Sequence, residues 1–270
     1  MTTVNYDRAV SYYDDTRGFR PGVSERYREA VLKLTGADAG TRILELAIGT
    51  GVIGLPFIAA GHSYVGVDIS RGMMRQIAPK LAGRADPRLA QADITVALPF
   101  ATVSFDLVQA IRVFHMLVDW RACIDEARRV LKPGGHLLIV EHQAPADQGD
   151  PPPWALVQGK WDAILKELGV DSGGLRNDLY PTEAILLRYL RSISADTRAI
   201  DLLIYRELPV SCRTMVERRA QRMFRSDWAL PEPIYRLATR MLYEWLERDC
   251  PNADAPAERR MLFRAIIARF

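Results

Sequence analysis

Four short apolar runs in the first half of the chain alternate with more polar stretches. They are Arg42–Leu46, Ser63–Val67, Phe105–Ala110 and His136–Glu141. Before the last of them, Trp120–Leu131 places apolar side chains at helical spacing, which predicts an amphipathic helix. Strands that are almost wholly apolar and alternate with helices are typical of a parallel sheet covered by helices on both faces.

The second half of the chain is predicted to be mainly helical. A loop rich in Pro, Asp and Gly is predicted over Gln143–Pro153. Helical spacing of apolar residues predicts four further helices: Trp154–Leu168, one that opens at Pro181, Ser211–Phe224 and Pro233–Glu247. The last helix is predicted to bury five side chains, those of Ile234, Leu237, Met241, Leu242 and Trp245. Two strand-like runs, Ala199–Tyr205 and Met261–Ala268, indicate that the last two strands of the sheet come late in the chain.

The composition is that of an ordinary globular enzyme. Of 270 residues, 49% are hydrophobic and 26% charged, which excludes a disordered chain. Lys and Arg exceed Asp and Glu by 36 to 33, too small an excess to indicate nucleic acid binding. The three cysteines (Cys123, Cys212 and Cys250) lie far apart without a CxxC pair, which argues against a disulfide framework or a zinc site.

The chain is not expected to enter a membrane. No apolar run approaches the roughly 20 residues that a spanning helix needs, and the N-terminus has no apolar signal core. We therefore expect a cytoplasmic protein.

A glycine-rich turn follows the first predicted strand. Gly49 and Gly51 there would let a ligand approach the backbone more closely than a Cβ permits. Asp68 ends the second strand, where its carboxylate can accept both hydroxyls of a ribose. Asp93 follows the third strand and could accept a hydrogen bond from an adenine amino group, with Ile69 and Ile94 on the ring faces.

The same turn also fits the dinucleotide fingerprint GxGxxG over residues 49–54. Two acids argue against that alternative. Glu45 lies at the end of the first strand, where it would repel a pyrophosphate but not a sulfonium amino acid. Asp93 has no standard role in a dinucleotide site.

Four segments resemble, in order and spacing, the motifs of class I S-adenosylmethionine-dependent methyltransferases. They are Ile43–Gly51, Gly66–Ser70 followed by Met73 and Met74, Pro99–Val108, and Arg128–Gly135. Ala47 stands where the first glycine of the family's motif is usual. The chain is most similar to the small-molecule subgroup that includes ubiquinone-biosynthesis-like enzymes, and its segment Tyr6–Pro21 resembles the lid that precedes the sheet in that subgroup.

The resemblance implies a Rossmann-like sheet of seven mostly parallel strands between helices, with an inserted helical cap over the active site. It implies three parts: an N-terminal lid (1–36), a core that binds S-adenosylmethionine (37–142), and cap insertions with the last two strands (143–270). It implies methyl transfer to an O, N or C nucleophile of a small molecule, with S-adenosylhomocysteine as product and no metal. No nucleic acid partner is implied, and the chain is expected to be a monomer or a homodimer.

The resemblance also assigns roles to residues. Glu45 would order the amino group of the methionine moiety, and Tyr13 would close over that end, with Arg17 or Arg20 pairing its carboxylate. The other cofactor-binding positions that it implies are Ala47, Gly49, Gly51, Asp68, Ile69, Met73, Asp93, Ile94, Ala110 and Ile111.

Two residues after the fourth strand are candidates for catalysis. His115 could take a proton from an acceptor, or could pack beneath the cofactor. Arg112 could bind an anionic substrate, or could pair with Asp119. Two other functions stay open at this point: an NAD(P)-dependent oxidoreductase that uses the GxGxxG turn, and a relative that binds S-adenosylmethionine without transferring its methyl group.

Overall fold

The apolar runs of the sequence form one mixed sheet. The structure is a computed structural model and describes residues 6–145, 152–170, 180–250 and 252–270. Within these ranges the sheet has seven strands in the order β3-β2-β1-β4-β5-β7-β6. In chain order they are β1 (Arg42–Leu46), β2 (Ser63–Asp68), β3 (Arg88–Gln91), β4 (Phe105–Ile111), β5 (Leu131–Gln143), β6 (Asp196–Arg206) and β7 (Arg260–Arg269).

Strand β5 is longer than the sequence predicted. The prediction began it at His136, whereas Leu131 already pairs with Phe105. The intervening glycines stay within the sheet because Gly134 N–H donates to the Phe270 carbonyl and Phe270 N–H donates to that of Gly135. The neighbouring pairs from β3 to β5 are parallel, and β5 pairs with β7 in antiparallel orientation. The mixed, mostly parallel α/β fold is therefore confirmed.

Helices surround these strands in the order that the sequence indicated. The described α-helices are α1 (Tyr13–Arg17), α2 (Val23–Thr35), α3 (Leu55–Ala59), α4 (Arg71–Met74), α5 (Ile77–Leu81), α6 (Trp120–Val130), α7 (Pro153–Glu167), α8 (Glu183–Ile193), α9 (Cys212–Ala220), α10 (Arg225–Trp228) and α11 (Glu232–Arg248). Side chains of Asp119, Thr182 and Ser211 cap α6, α8 and α9 by accepting backbone N–H bonds.

Both faces of the sheet are buried. Neighbouring residues of β4 show this, since Leu107 packs in the cluster with Tyr27 of α2, and Val108 packs in the cluster with Ile124 of α6. Alternate side chains of a strand point to opposite faces, so a strand covered on both sides must be apolar at nearly every position. This explains the continuous apolar runs of the sequence.

The chain divides into two compact units. The first holds the sheet and consists of the described residues up to Gln143, from Tyr180 to Tyr205 and from Met261 to Phe270. The second consists of the described residues between them and contains α7, α9, α10 and α11. The loop predicted over Gln143–Pro153 lies largely outside the described residues, as do the first five residues of the N-terminal segment.

The helical unit has its own core. Its members include Trp161 of α7, Val216 of α9 and Leu242 of α11. On α11 the buried residues are Tyr235, Ala238, Leu242 and Leu246. The prediction was correct for Leu242, whereas the other buried residues each follow a predicted one by one position. The segment between β6 and β7 leaves and returns at adjacent points, because Glu207 N–H donates to the Arg259 carbonyl (2.9 Å). The predicted position of these helices as a cap stays a prediction.

None of the helices in the described ranges is long and apolar enough to span a bilayer.

Gly66 on β2 provides a test of how closely the first turn packs on the sheet. A Cβ at this position would lie 2.3 Å from Ile48 Cδ1. We expect Gly66→Ala to lower the free energy of unfolding by about 1–3 kcal/mol, since overpacking displaces a buried neighbour. Urea denaturation measures the change. Gly40→Ala is the control, because a Cβ there meets only Asp38 Oδ1 at 3.4 Å; equal effects of the two substitutions would contradict the packing argument.

Candidate functional site

A crevice of about 710 Å³, partly open to solvent, lies at the carboxyl ends of the parallel strands. In parallel α/β sheets this edge is where ligands bind, because loops that leave neighbouring strands diverge there. The described residues that line it come from the loops after β1 to β4 and from the N-terminal segment: Tyr6, Tyr13, Ala47, Gly49, Asp68, Ile69, Met73, Ala92, Asp93, Ile94, Ile111, Arg112, Val113, Met116 and Leu117.

A smaller recess continues from this crevice. The two share the residues Tyr13, Ala47, Gly49, Ile111 and Arg112. The recess adds Glu45, Ile48, Thr50, Val52 and Ile53 to the lining. The site is therefore elongated, with Asp68 and Asp93 along one part and Glu45 at the other.

The carboxylate of Asp68 joins the loops that follow β1 and β2. Its Oδ2 accepts Gly49 N–H and its Oδ1 accepts Ser70 N–H, each at 2.8 Å. Burial raises the pKa of Asp68, although these two hydrogen bonds lower it. A carboxylate has about four acceptor positions, so both oxygens retain capacity for hydroxyl groups of a ligand in the crevice.

The amides of the two glycines in the turn are bonded within the protein. Gly49 N–H is bonded to Asp68, and Gly51 N–H donates to the Ile48 carbonyl (3.0 Å). The helix that follows, α3, begins only at Leu55. A pyrophosphate site needs free amides at a helix N-terminus, so this geometry argues against the dinucleotide alternative.

The two glycines of the turn have different roles. A Cβ on Gly49, which lines the crevice, would meet no protein atom within 4 Å, so the space beside it is open to a ligand. A Cβ on Gly51 would lie 2.9 Å from Ile77 Cγ1 and 3.3 Å from Leu55 Cγ. The expectation that Gly51 admits a ligand is thus corrected: its small size lets the turn pack on Ile77 and Leu55.

Two residues at the crevice have an unusual backbone conformation. Ala47 has φ 58° and Arg112 has φ 57°, both in the left-handed region. Residues with a Cβ are strained there by roughly 1–2 kcal/mol. The alanine at the usual glycine position of the motif is therefore a strained substitution rather than a neutral one.

Asp93 and two isoleucines line the crevice beyond β3. Asp93 Oδ1 accepts hydrogen bonds from Thr95 N–H (2.9 Å) and from Thr95 Oγ1 (2.7 Å). Ile94 is buried, and Ile69 is half-buried on the loop after β2. An acid beside apolar walls matches the polar edge and faces of a purine ring.

A buried hydrogen-bond chain leads from Glu45 into the sheet. Tyr64 Oη donates to Glu45 Oε2 (2.6 Å), Gln109 Nε2 donates to Tyr64 Oη (2.5 Å), and Tyr27 Oη donates to Gln109 Oε1 (3.3 Å). Burial raises the pKa of Glu45 to about 8, and the bond from Tyr64 lowers it by less. The ligand-free site therefore holds a proton on Glu45 at neutral pH.

The N-terminal segment is fastened to the loops of the crevice. Thr50 Oγ1 donates to Asp14 Oδ1 (2.5 Å), and Lys80 forms an ion pair with the same carboxylate. Ser70 Oγ donates to Asp7 Oδ1. These bonds hold Tyr6 and Tyr13, whose rings meet edge to face at 6.1 Å, in the wall of the crevice.

Arg112 contacts the N-terminal segment and does not pair with Asp119. Its Nη1 donates to the Arg17 carbonyl (3.0 Å), and its guanidinium lies 5.0 Å from the centre of the Phe19 ring. Asp119 instead caps α6 through Ala122 N–H. The predicted pair between Arg112 and Asp119 is wrong, because the side chain of Arg112 points to residues 17–19 instead. The backbone of Arg112 is in the left-handed region.

His115 is not among the residues that line the cofactor crevice. Its side chain is 55% exposed, and both predicted roles of His115, as a base and as a residue that packs beneath the cofactor, stay predictions. His115 Nδ1 lies 3.0 Å from Glu141 Oε2 and lines a second crevice.

The remaining predicted residues lie away from the described linings. Arg17 meets Arg112 through its backbone, Arg20 lies before α2 and accepts Val23 N–H, and Ala110 is buried in the apolar core. Conversely, the sequence-based site residues included His115 but omitted its neighbours Val113, Met116 and Leu117, and they omitted Tyr6, although Tyr6 belongs to the segment recognised as a lid. Tyr6 Oη donates to Met116 Sδ (3.1 Å), which joins the two omitted parts.

Among the described residues there is no group of three or more His, Cys, Asp or Glu side chains arranged to hold a metal ion.

Comparison with known proteins gives consistent results. Residues 44–139 match a family described as methyltransferase domain. The chain is 35% identical, over 162 residues, to the demethylmenaquinone methyltransferase of Clavibacter sepedonicus, covering 60% of this chain and 63% of that protein. It is 35% identical to the ubiquinone/menaquinone biosynthesis C-methyltransferase UbiE of Syntrophotalea carbinolica, covering 64% and 71%.

The fold also resembles a solved structure, that of the YcgJ protein from Bacillus subtilis. The TM-score is 0.55 at 19% identity, covering 91% of this chain and 99% of that one. The chain spans less than two thirds of the length of the Clavibacter relative.

The raised pKa of Glu45 predicts a pH-dependent stability. Since the folded state holds the proton up to about pH 8 and the ordinary pKa is 4.5, stability falls as the pH rises between these values and is level above them. Without ligand, the free energy of unfolding of Glu45→Gln relative to that of the wild type should rise by about 2–5 kcal/mol between pH 5 and pH 9. Denaturation at both pH values measures this. The exposed Glu29 gives the control Glu29→Gln, whose difference from wild type should stay constant; a constant difference for Glu45→Gln would refute the assignment.

Proposed function

The chain belongs to the class I S-adenosylmethionine-dependent methyltransferases, and from that premise we propose that it transfers a methyl group from S-adenosylmethionine to a small-molecule acceptor. The single observation that best supports the cofactor is the pattern of acids around the crevice. Glu45 and Asp68 lie at the carboxyl ends of β1 and β2, Asp93 follows β3, and all three line one elongated site. Asp68 and Asp93 favour a cationic adenosine derivative over an anionic dinucleotide, and Glu45 would add to this preference by losing its proton when an ammonium group binds beside it.

The residues present fit such a cofactor. The open space beside Gly49 admits a ligand backbone, and Asp68 retains acceptor capacity for two ribose hydroxyls. In our proposal Asp93 and Ile94 hold the adenine, and Glu45 faces the amino group of the methionine moiety. Tyr13 covers that end, held by the bonds of Asp14.

We place Arg112 rather than Arg17 or Arg20 at the methionine carboxylate. Arg112 lines both parts of the site, whereas the structure describes no lining role for the other two arginines. Its place beside residues 17–19 then makes closure of the N-terminal segment depend on the same side chain.

When bound, S-adenosylmethionine supplies a methyl group that is already activated by its positive sulfur. The protein then has to orient the acceptor, exclude water and receive any proton that the acceptor loses. Tyr6, Tyr13 and Met116 enclose the site, which supports water exclusion in this proposal.

For the acceptor we propose a hydroxylated aromatic ring of the quinol type. The support is the printed activity of the relatives, which are demethylmenaquinone and ubiquinone/menaquinone methyltransferases. We propose transfer to carbon because the relative from Syntrophotalea carbinolica is named a C-methyltransferase. A cytoplasmic location and a monomeric or homodimeric state stay predictions from sequence.

Calorimetry tests the cofactor. We expect S-adenosylmethionine and S-adenosylhomocysteine to bind and NADH not to bind. Asp68→Asn should weaken the affinity by about 1–3 kcal/mol, roughly 5- to 150-fold, because polar partners lose an acceptor. The control is Asp106→Asn, since Asp106 also accepts two partners, Arg42 N–H and Lys132 Nζ, but at the opposite edge of the sheet. Binding of NADH alone would overturn the proposal.

Methyl transfer is tested with tritiated S-adenosylmethionine and reduced quinones. We expect label to enter a demethylated naphthoquinol and the product S-adenosylhomocysteine to appear in equal amount. Binding without transfer to any of a panel of quinols, phenols and amines would favour the relative that does not transfer methyl groups.

A further inference from the structure

A second crevice, of about 400 Å³, lies on one face of the sheet beside α8. Its lining on β5 consists of alternate residues, Ile139, Glu141 and Gln143, which therefore share one face of the strand. Arg264 and Ile266 contribute from β7 in the same way. The crevice belongs wholly to the unit that holds the sheet.

The floor of this crevice is apolar. Phe114, Ile139, Leu186 and Ile266 line it, and each is at least 96% buried. Binding of a flat apolar ligand to such a floor is favoured by roughly 25 cal/mol for each Å² of apolar surface that is removed from water.

The rim carries more acid than base. Arg264 forms two bonds with the carboxylate of Glu183 (2.9 and 3.0 Å) and a third with Asp201 (2.6 Å). Its charge is thus satisfied within the protein, and Glu141 adds a further acid on the other side. An anionic ligand would meet net repulsion at this rim, whereas a neutral ligand with a hydroxyl group would not.

His115 and Glu141 form an oriented pair at the same rim. Glu141 Oε2 lies 3.0 Å from His115 Nδ1, and Oε1 accepts His115 N–H at 3.4 Å. Because a carboxylate only accepts hydrogen bonds, Nδ1 must carry the ring proton. The lone pair of the neutral ring is then on Nε2, which is the arrangement of a general base held by an acid.

We propose that this crevice is the binding site of the methyl acceptor, a neutral aromatic compound with a hydroxyl group, and that Glu141 positions His115 as its base. This rests on the proposed function. The acceptor hydroxyl gives its proton to Nε2, and the electron pair of the O–H bond forms a carbonyl as a ring carbon bonds to the methyl group, whose former bonding pair stays on sulfur. The proton on that ring carbon then leaves and the oxygen regains one, which restores the hydroxylated ring. The imidazolium that forms is stabilised by Glu141 and returns the proton to solvent, to which the ring is exposed.

The position of the crevice agrees with this role. Residues 113–117 form a single turn whose Val113, Met116 and Leu117 line the cofactor crevice, while Phe114 and His115 line the second crevice. The two crevices therefore lie on either side of one short turn. Ile111 at the end of β4 lines the first crevice, and Ile139, Glu141 and Gln143 at the end of β5 line the second.

The tautomer of His115 is tested first, without any ligand. In water the neutral ring prefers its proton on Nε2, so nitrogen-15 shifts of labelled histidine should show the opposite preference at His115. Glu141→Gln should abolish that preference and Glu141→Asp should retain part of it. A wild-type ring with its proton on Nε2 would overturn the base assignment.

Binding is tested with 1-naphthol and the cofactor-free chain. We expect saturable shifts of the His115 ring signals, with those of His62, His136 and His142 unmoved. The anion 1-naphthoate should shift them at least fivefold less at equal concentration, and His62→Asn should leave the response unchanged. Equal shifts by the anion, or none by 1-naphthol, would refute the site.

Kinetics with a transferable quinol test the positioning role. Glu141→Gln should lower kcat about 10- to 100-fold and change the acceptor KM less than about threefold, with part of kcat recovered in Glu141→Asp. Unchanged kcat would overturn the role of Glu141. Failure of the proposed function would instead appear as loss of S-adenosylmethionine binding by the wild type, which the 1-naphthol and tautomer measurements do not involve.

Discussion

The two loops that form the cofactor crevice are joined by the carboxylate of Asp68. It accepts the amides of Gly49 and Ser70, one from each loop, and the loops would otherwise bury donors without acceptors. Because these amides are used within the protein, the crevice offers acids rather than anion-binding donors. One buried side chain thus sets both the shape of the site and the sign of charge that it accepts.

The N-terminal segment depends on the same loops. Asp7 accepts from Ser70 and Asp14 accepts from Thr50, so each loop also receives a residue of the segment. At the far side Arg112 holds the segment through the Arg17 carbonyl. The wall that contains Tyr6 and Tyr13 is therefore bonded to the loops after β1, β2 and β4.

The sequence predicted the parts of the fold that local pattern determines. Strand β1 was placed with its bounds, since a run buried on both faces must be apolar at nearly every position. The role of Gly51 was not predictable, because its partner Ile77 is brought to it by the fold. The same holds for Arg112, whose partner Arg17 precedes it by 95 positions, and for His115, which meets Glu141 across neighbouring strands. In each case the residue was found from sequence, but its contact depends on tertiary structure.

The bond between Glu207 and Arg259 also bears on how such chains diversify. Because the 206–260 insertion begins and ends at adjacent points, its length and content can change while the registers of β5 and β7 stay fixed. Its helices α9 and α11 share their core with Trp161 of α7, which lies outside the insertion, and no member of this core lines the cofactor crevice. Gene rearrangement could therefore exchange this insertion for another that packs on α7, leaving Asp68 and the loops that it joins unchanged.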